Sequence, residues 1–294
     1  MMAMPQPSEP GAGSGAGRPA SSRKPAARVL ARLSLLGVAA WLAWQAFGVL
    51  VAYRESRAVA RQLPDLPPVH GVPSRRDAGF PVKVWLHRVN SVERAVRMAK
   101  QFRGMEIDVM YDSAANSFDV GHPPAPSIGL SLDRLLGAVP DVAGHYFWID
   151  FRNLTNTNAP AACTRLVAIA RKHNLISHMI VESVHPTALA CFTDNGFRTS
   201  YYLFPEVSLP AMNTAQRTAY YAEVKAGLAA SNVNALSMSY ESLPFVDRYF
   251  PDADVLTWYR ERDRNLRYYV TLAYLKARSR IQVILIRQMS RGYR

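Results

Sequence analysis

Cysteine is scarce in this sequence, which has two, Cys163 and Cys191, among 294 residues. Their spacing does not match the common patterns of zinc-binding cysteines, so a structural zinc site is not indicated. Two interpretations stay open for the pair. The cysteines form a disulfide outside the cytoplasm, or they are two small buried residues on helices, which is the favoured interpretation.

Acidic residues are also few, since the chain has 22 of them against 35 basic residues and a formal net charge of +13. A basic balance is compatible with nucleic acid, anionic lipid or simple solubility. The basic residues do not form a dense block, and residues 1–32 hold five of them against a single acidic residue, Glu9. This distribution argues against a nucleic-acid-binding module.

Charged residues are absent from Leu33–Tyr53, a run of about 21 residues. An apolar helix of roughly 20 residues spans a bilayer, and the basic residues before the run place its N-terminus in the cytoplasm. A cleaved signal peptide is the alternative, but its apolar core is normally about 7–15 residues long. The pattern therefore favours an uncleaved single-pass anchor, with the C-terminal domain periplasmic or extracellular.

Composition divides the chain into four regions. Residues 1–32 are rich in Gly, Ser, Pro and Ala and are predicted to be a disordered, basic cytoplasmic tail. The anchor covers residues 33–53, and the proline-containing stretch 54–80 is predicted to be a short helical extension and a linker. Residues 81–294 are predicted to form one folded domain.

From Pro81 onwards, strand-like and helix-like runs alternate. The predicted strands are Val82–His87, Met105–Met110, Tyr146–Phe151, His178–Glu182, Arg198–Leu203, Ala235–Ser239, Asp254–Trp258 and Ile281–Ile286. Helical patterns between them include Val92–Phe102, Ala159–His173, Pro186–Asn195 and Thr214–Ser231. This alternation predicts parallel strands with crossover helices and an α/β fold, a lean TIM (β/α)8 barrel. An open doubly wound sheet is the alternative, but no glycine-rich phosphate loop follows the first strand.

Ionisable residues end several of these strands, where a barrel enzyme assembles its site. Residues i and i+2 of a strand face the same side, so Glu106 points with Asp108, and Asp150 with Arg152. Three carboxylates that converge at a barrel mouth repel one another strongly. A divalent cation, Mg²⁺ or Ca²⁺, relieves this repulsion because both ions prefer oxygen ligands. Glu182, which ends the fourth predicted strand, is a weaker candidate for the same cluster.

Two histidines accompany the carboxylates, His87 at the end of the first strand and His122 after the second. Imidazole titrates near neutral pH, so the pair suits general acid–base catalysis. Arg88 or Arg152 is placed to bind an anionic group such as a phosphate. Each motif alone is also typical of ordinary loops and ion pairs, and Asp150 and Arg152 have the alternative of pairing with each other.

The order of these motifs resembles the opening of the glycerophosphodiester phosphodiesterases. That family has His-Arg-Gly near its start, an Asn a few residues later, Glu-x-Asp, then His-Asp, and Glu-x-Lys in its third strand. The chain is most similar to a relative of that family, the menorin-like domain, with His-x-x-Asn-Ser, Glu-x-Asp-Val, His-Pro-Pro and Asp-Phe-Lys. The matching segments are His87–Ser91, Glu106–Val109, His122–Pro124 and Asp150–Arg152.

The resemblance implies a TIM-barrel phosphodiesterase with a bound divalent metal. Carried over residue by residue, it implies metal ligands Glu106, Asp108 and Asp150, catalytic residues His87 and His122, and substrate-binding residues Arg88, Asn90 and Arg152. The chain departs from the family pattern with Val89 for Gly, Pro123 for Asp and Asp150 for Glu. Arg152 stands where the family has lysine. It keeps the positive charge but replaces a compact ammonium group with a planar guanidinium that can donate two parallel hydrogen bonds.

The predicted function is membrane-anchored, metal-dependent hydrolysis of a phosphodiester, either a glycerophosphodiester or a lipid head group. One alternative is a weakly active or inactive barrel that serves as a binding or scaffold protein, since fold does not imply function. Another is a metal-free lyase of the phospholipase C type that uses only the two histidines. No pattern in the sequence points to a protein partner.

Overall fold

The computed structural model describes residues 24–73, 79–204, 209–259 and 264–287. The strands β1 to β9 are Val84–Leu86, Gly104–Asp112, Ser117–Val120, Tyr146–Phe151, Met179–Ser183, Arg198–Tyr202, Ala235–Ser239, Val255–Tyr259 and Ile281–Ile286. The helices α1 to α8 are Lys24–Arg61, Val92–Ala99, Leu132–Ala138, Ala159–Lys172, Ala190–Asp194, Thr214–Ala229, Leu243–Tyr249 and Leu266–Ala277. The chain separates into two units, with the boundary between Ala46 and Phe47 inside α1.

Eight parallel strands form a closed barrel in the second unit. Its order is β1-β2-β4-β5-β6-β7-β8-β9, and β1 closes the ring by pairing with both β2 and β9. The predicted (β/α)8 barrel is therefore confirmed. The hairpin strand β3, which the sequence did not predict, pairs antiparallel with β2 and places Asp119 opposite Met110.

The barrel interior has an apolar layer beneath a polar mouth. The buried residues of the inner apolar cluster are Trp85, Trp148, Ile180, Ala235, Leu256, Trp258, Val283 and Leu285. Two residues further along β4 and β5 come Asp150 and Glu182, which share the inward face because strand side chains alternate. A larger buried cluster fills the space between the strands and the surrounding helices. The polar mouth is therefore supported by close-packed aromatic and aliphatic side chains.

Gly104, at the start of β2, leaves room for the indole of Trp85 in the apolar layer. A Cβ atom at this position would lie 2.2 Å from ring atoms of Trp85, which is fully buried. We expect Gly104→Ala to lower the free energy of unfolding by about 1–3 kcal/mol, as overpacked cores do, in urea denaturation. Gly137→Ala in α3 is the control, because its Cβ meets only His173, at 3.7 Å. Equal unfolding midpoints for the two variants would contradict this account.

The two cysteines are paired. Cys163 in α4 and Cys191 in α5 form a disulfide. The sequence left two interpretations open and favoured unpaired thiols, so the structure corrects that preference. The bridge ties two consecutive helices of the outer ring together, and the short helix α5 gains a covalent link to the longer α4.

The helix α1 includes the span Leu33–Tyr53 that the sequence predicts to be an anchor. In the part of the chain that the structure describes, no helix is both long enough and apolar enough to cross a membrane. The structure therefore gives the anchor no support. The first and last residues of the predicted span lie outside the described side chains, and residues 1–23 of the predicted tail lie outside the described residues.

The segment that follows α1 is bound to the outer helices of the barrel. The guanidinium of Arg217 in α6 donates to the carbonyl oxygen of Gln62 at 2.9 Å. The hydroxyl of Tyr249 in α7 donates to the carbonyl oxygen of Pro64 at 2.6 Å. Part of the stretch that the sequence predicts to be a linker therefore lies against the barrel surface.

Candidate active site

Three carboxylates from two neighbouring strands meet at the C-terminal end of the barrel. Asp108 in β2 lies beside Asp150 in β4 in the parallel register, and Glu106 precedes Asp108 by two residues on the same face. One oxygen of each carboxylate lies within 4.8 Å of the others. Glu106 and Asp108 are each only 1% exposed. The structure thus brings together the three predicted metal ligands.

Burial and mutual repulsion disfavour the charged forms of these groups. Burial raises the pKa of Glu106 well above its usual range, and the charges of Asp108 and Asp150 raise it further. Burial also raises the pKa of Asp150 to about 7, although the nearby Arg152 opposes the shift. Buried, closely spaced carboxylates of this kind favour either a proton or a cation.

The loop after β1 supplies hydrogen bonds to the cluster. The amide nitrogen of Asn90 donates to Asp108 at 2.7 Å, and the backbone N–H of Asp108 donates to the Asn90 oxygen at 3.0 Å. The backbone N–H of Arg88 donates to Glu106, and Arg88 adopts the left-handed region with φ of 59°. Asn90 and Arg88 therefore position carboxylates. Their contacts with a substrate stay predictions.

Two histidines flank the carboxylates, as the sequence predicts. Nε2 of His87, which follows β1, lies 3.7 Å from a carboxylate oxygen of Glu106. Nε2 of His122, which follows β3, lies 3.9 Å from a carboxylate oxygen of Asp108. Each imidazole therefore faces one of the buried acids across the mouth of the barrel.

The hairpin of β2 and β3 determines the position of His122. The backbone N–H of Gly121 donates to the carbonyl oxygen of Asp108 at 3.0 Å, which fixes the residue before the histidine. Nδ1 of His122 lies 2.5 Å from the carbonyl oxygen of Pro123. A carbonyl only accepts, so Nδ1 carries a proton, and the neutral tautomer with this contact has its lone pair on Nε2.

Arg152, which follows β4, forms an ion pair with Asp150 at the C-terminal end of that strand. Their closest atoms, Nη1 and Oδ2, lie 2.8 Å apart, and the Arg152 side chain is 25% exposed. The ion pair that the sequence left as an alternative is therefore present. A guanidinium has five N–H donors, so donors remain for an anion at the mouth.

Glu182 adds a fourth carboxylate beside the cluster. It lies next to Asp150 in the register of β4 and β5 and is 2% exposed. Burial raises its pKa well above the usual range and the charge of Asp150 raises it further, whereas the nearby Ser237 hydroxyl and Trp148 indole lower it. The sequence signal for this residue is its place at the end of a predicted strand, which is weak evidence on its own.

The raised pKa of Asp150 predicts how stability depends on pH without a divalent cation. Between its ordinary value of 3.8 and the folded value of about 7, the folded state holds a proton that the unfolded chain has lost. The stabilising contribution is therefore present at low pH and is lost as pH rises through about 7.

We expect the thermal unfolding midpoint in chelator to fall from about pH 4 to about pH 7, and a divalent cation to oppose this fall. Asp150→Asn should make this fall shallower, because the substituted side chain does not titrate while Glu106 and Glu182 still do. A wild-type profile identical to that of the variant would refute the assignment.

No family model and no curated protein matches the chain. Among solved structures, an Agrobacterium tumefaciens protein assigned to the glycerophosphoryl diester phosphodiesterases has a TM-score of 0.50 at 10% identity, covering 70% of this chain and 93% of that one. A glycerophosphodiester phosphodiesterase from Parabacteroides distasonis has 0.48 at 14% identity, covering 70% and 91%. A GH18 chitinase from Pseudoalteromonas aurantia has 0.43 at 11%, covering 71% and 94%. At these identities the likeness shows a shared barrel fold alone.

Proposed function

We propose that this chain is a metal-dependent phosphodiester hydrolase that acts outside the cytoplasm on a glycerophosphodiester or a lipid head group. One observation supports this proposal above the others. Three carboxylates with oxygens within 4.8 Å of one another lie between two imidazoles at a barrel mouth. The order of the sequence motifs, including the likeness to the menorin-like domain, supports the substrate class. The Cys163–Cys191 disulfide supports an oxidising compartment.

The donor set of the site fits a hard divalent cation. Glu106, Asp108 and Asp150 offer only oxygen ligands, which Mg²⁺ and Ca²⁺ prefer. Burial raises the pKa values of Glu106 and Asp150 most, and the charges of neighbouring carboxylates raise them further. A bound cation would stabilise the charged forms against both effects. When bound, such an ion neutralises a phosphate oxygen and lowers the pKa of a nearby hydroxyl.

The two histidines divide the proton transfers between them. In the tautomer with the proton on Nδ1, Nε2 of His122 holds a lone pair, and the side chain is 28% exposed, so His122 is placed to take the proton of an attacking hydroxyl. That hydroxyl belongs to water or to a neighbouring position on the substrate. Nε2 of His87 lies 3.7 Å from Glu106, on the other side of the cluster. His87 is therefore placed to give a proton to the leaving alkoxide, while Arg152 binds phosphate oxygens.

One observation favours a second candidate function, ligand binding without turnover. The guanidinium of Arg152 lies 2.8 Å from Asp150, and it supplies positive charge to one of the three proposed metal ligands. In that case the barrel binds an anionic diester through Arg152, and the cluster holds protons in place of an ion. Metal dependence distinguishes this candidate from the hydrolase.

Turnover assays on the full chain test the proposal. The substrates are bis-p-nitrophenyl phosphate and several glycerophosphodiesters, each assayed with Mg²⁺, with Ca²⁺ and with a chelator. Hydrolysis that requires a divalent cation supports the hydrolase. Cleavage of a glycerophosphodiester that persists in chelator, with bis-p-nitrophenyl phosphate left intact for want of a neighbouring hydroxyl, favours the metal-free lyase. Binding of a diester without cleavage favours the binding protein.

A further inference from the structure

The outer face of α8 is largely apolar. Its exposed positions follow helical spacing and hold Leu266, Tyr269, Val270, Ala273, Tyr274 and Ala277, with the exposed Lys276 at the edge. Tyr269 and Tyr274 are 54% and 57% exposed, and Val270 is 41% exposed. The opposite face packs on the barrel through Tyr268 and Leu275, which are buried. A barrel helix ordinarily presents polar residues to solvent, so this exposed surface, here called the α8 stripe, is unusual.

Basic residues border the α8 stripe. The stretch from Arg264 to Arg278 contains no acidic residue, and Arg264 and Lys276 are exposed. Arg278 donates to the hydroxyl of Tyr274 at 3.1 Å and is itself paired with Asp247 at 2.8 Å. An apolar face containing tyrosine with basic margins is typical of a helix that lies in the interface of an anionic membrane.

A lipid surface fits the α8 stripe better than a second copy of the chain does. A two-fold dimer through α8 would place identical basic margins against each other, in a chain of net charge +13. Anionic head groups neutralise the same margins.

We propose that the α8 stripe docks the barrel onto an anionic lipid bilayer. Because α8 follows β8, its first residues, Leu266 to Tyr269, lie towards the end of the barrel where the carboxylates are. Docking through this helix therefore places one side of the barrel mouth beside lipid head groups. Delivery of a substrate in this way rests on the proposed function, but the docking itself does not.

The test uses the full chain with a single fluorescent label that reports on its surroundings. The native cysteines are paired, so a cysteine introduced as Ala273→Cys takes the label on the stripe. Ala222→Cys on the exposed face of α6 is the matched control. Vesicles contain phosphatidylcholine alone or phosphatidylcholine mixed with phosphatidylglycerol. The helix α1 is present in every variant, so the difference between the two labels reports on α8.

With anionic vesicles we expect a blue shift and strong protection from an aqueous quencher at position 273, and neither effect at position 222. The combined change Tyr269→Gln, Val270→Gln and Tyr274→Gln should weaken the response at 273 roughly tenfold or more, because apolar burial is lost. The control change Ala219→Gln, Ala222→Gln and Ala226→Gln on α6 should leave the response at position 273 intact.

Equal quenching at 273 with and without anionic vesicles would overturn the proposal. Protection at 273 without vesicles, together with a doubled mass in solution, would overturn it in favour of a dimer.

Failure of the docking and failure of the proposed function give different results. The triple glutamine variant of α8 should hydrolyse soluble bis-p-nitrophenyl phosphate at the wild-type rate, because its substitutions lie outside the barrel mouth. If the wild-type chain cleaves no diester, the hydrolase proposal fails while the label response at position 273 still decides the docking.

Discussion

Replacing Asp108 by asparagine should abolish both the cation-dependent stabilisation and the turnover of this protein. Asp108 is 1% exposed, shares the 4.8 Å cluster with Glu106 and Asp150, and accepts a hydrogen bond from Asn90. The substitution preserves the shape of the side chain but removes its charge and one anionic ligand. Without a cation the variant should be at least as stable as the wild type, because the repulsion on Glu106 falls. Thermal unfolding with and without Mg²⁺ or Ca²⁺ measures both effects.

Asp133→Asn is the matched control for this variant. Asp133 lies in α3 and pairs with Lys172 and His173 at 2.9 Å, outside the carboxylate cluster. Its loss should change stability modestly and leave the cation-dependent shift and the turnover in place. Retention of the full cation shift in Asp108→Asn would show that the cation binds elsewhere on the chain.

The second large effect is expected at His122. Its change to alanine should remove roughly 10²–10⁴ of the rate, the usual scale for a general base. The cation-dependent stabilisation should survive, because His122 stands 3.9 Å from Asp108 and is not one of the three clustered ligands. The measurements are steady-state kinetics on a soluble diester and thermal unfolding with the cation.

His178→Ala provides the control for a lost imidazole. Nδ1 of His178 lies 3.1 Å from the carbonyl oxygen of His145, before β5 and therefore at the opposite end of the barrel from the carboxylates. The turnover of the His178→Ala variant should stay near the wild-type rate. If His122→Ala keeps its rate within a few-fold, the acid–base assignment fails. If His122→Ala loses the cation-dependent stabilisation, His122 is a metal ligand and not a general base.

The barrel was predictable because its strands are short apolar runs that end in ionisable residues. Such a run specifies a strand buried on both faces, as parallel barrel strands are. The strand β3 lacks this signal, since its four residues alternate between buried and half-buried positions. The helix α8 has no amphipathic period, because both its inner and outer faces are apolar. Local periodicity cannot tell which of those faces meets the barrel.

The carboxylate cluster was predictable from alternation within strands, which places Glu106 and Asp108 on one side. Register between strands is a tertiary property, so the sequence did not specify that Asp150 lies beside both Asp108 and Glu182. The pairing of Asn90 with Asp108 depends on a loop that crosses to the next strand, and the sequence assigned Asn90 to substrate instead. Motif order singled out these residues as candidates, while their contacts with one another required the folded chain.

Calorimetric titration of the full chain with Mg²⁺ and with Ca²⁺ tests the central claim most directly. The account predicts saturable binding of one ion per chain, absent in Asp108→Asn. Because the pKa of Asp150 is about 7, binding near pH 7 should also release protons, which repeated titrations in buffers of different ionisation enthalpy detect. Absence of binding by both cations in the wild-type chain would contradict the account, and it would leave the metal-free lyase and the metal-free binding protein as the alternatives.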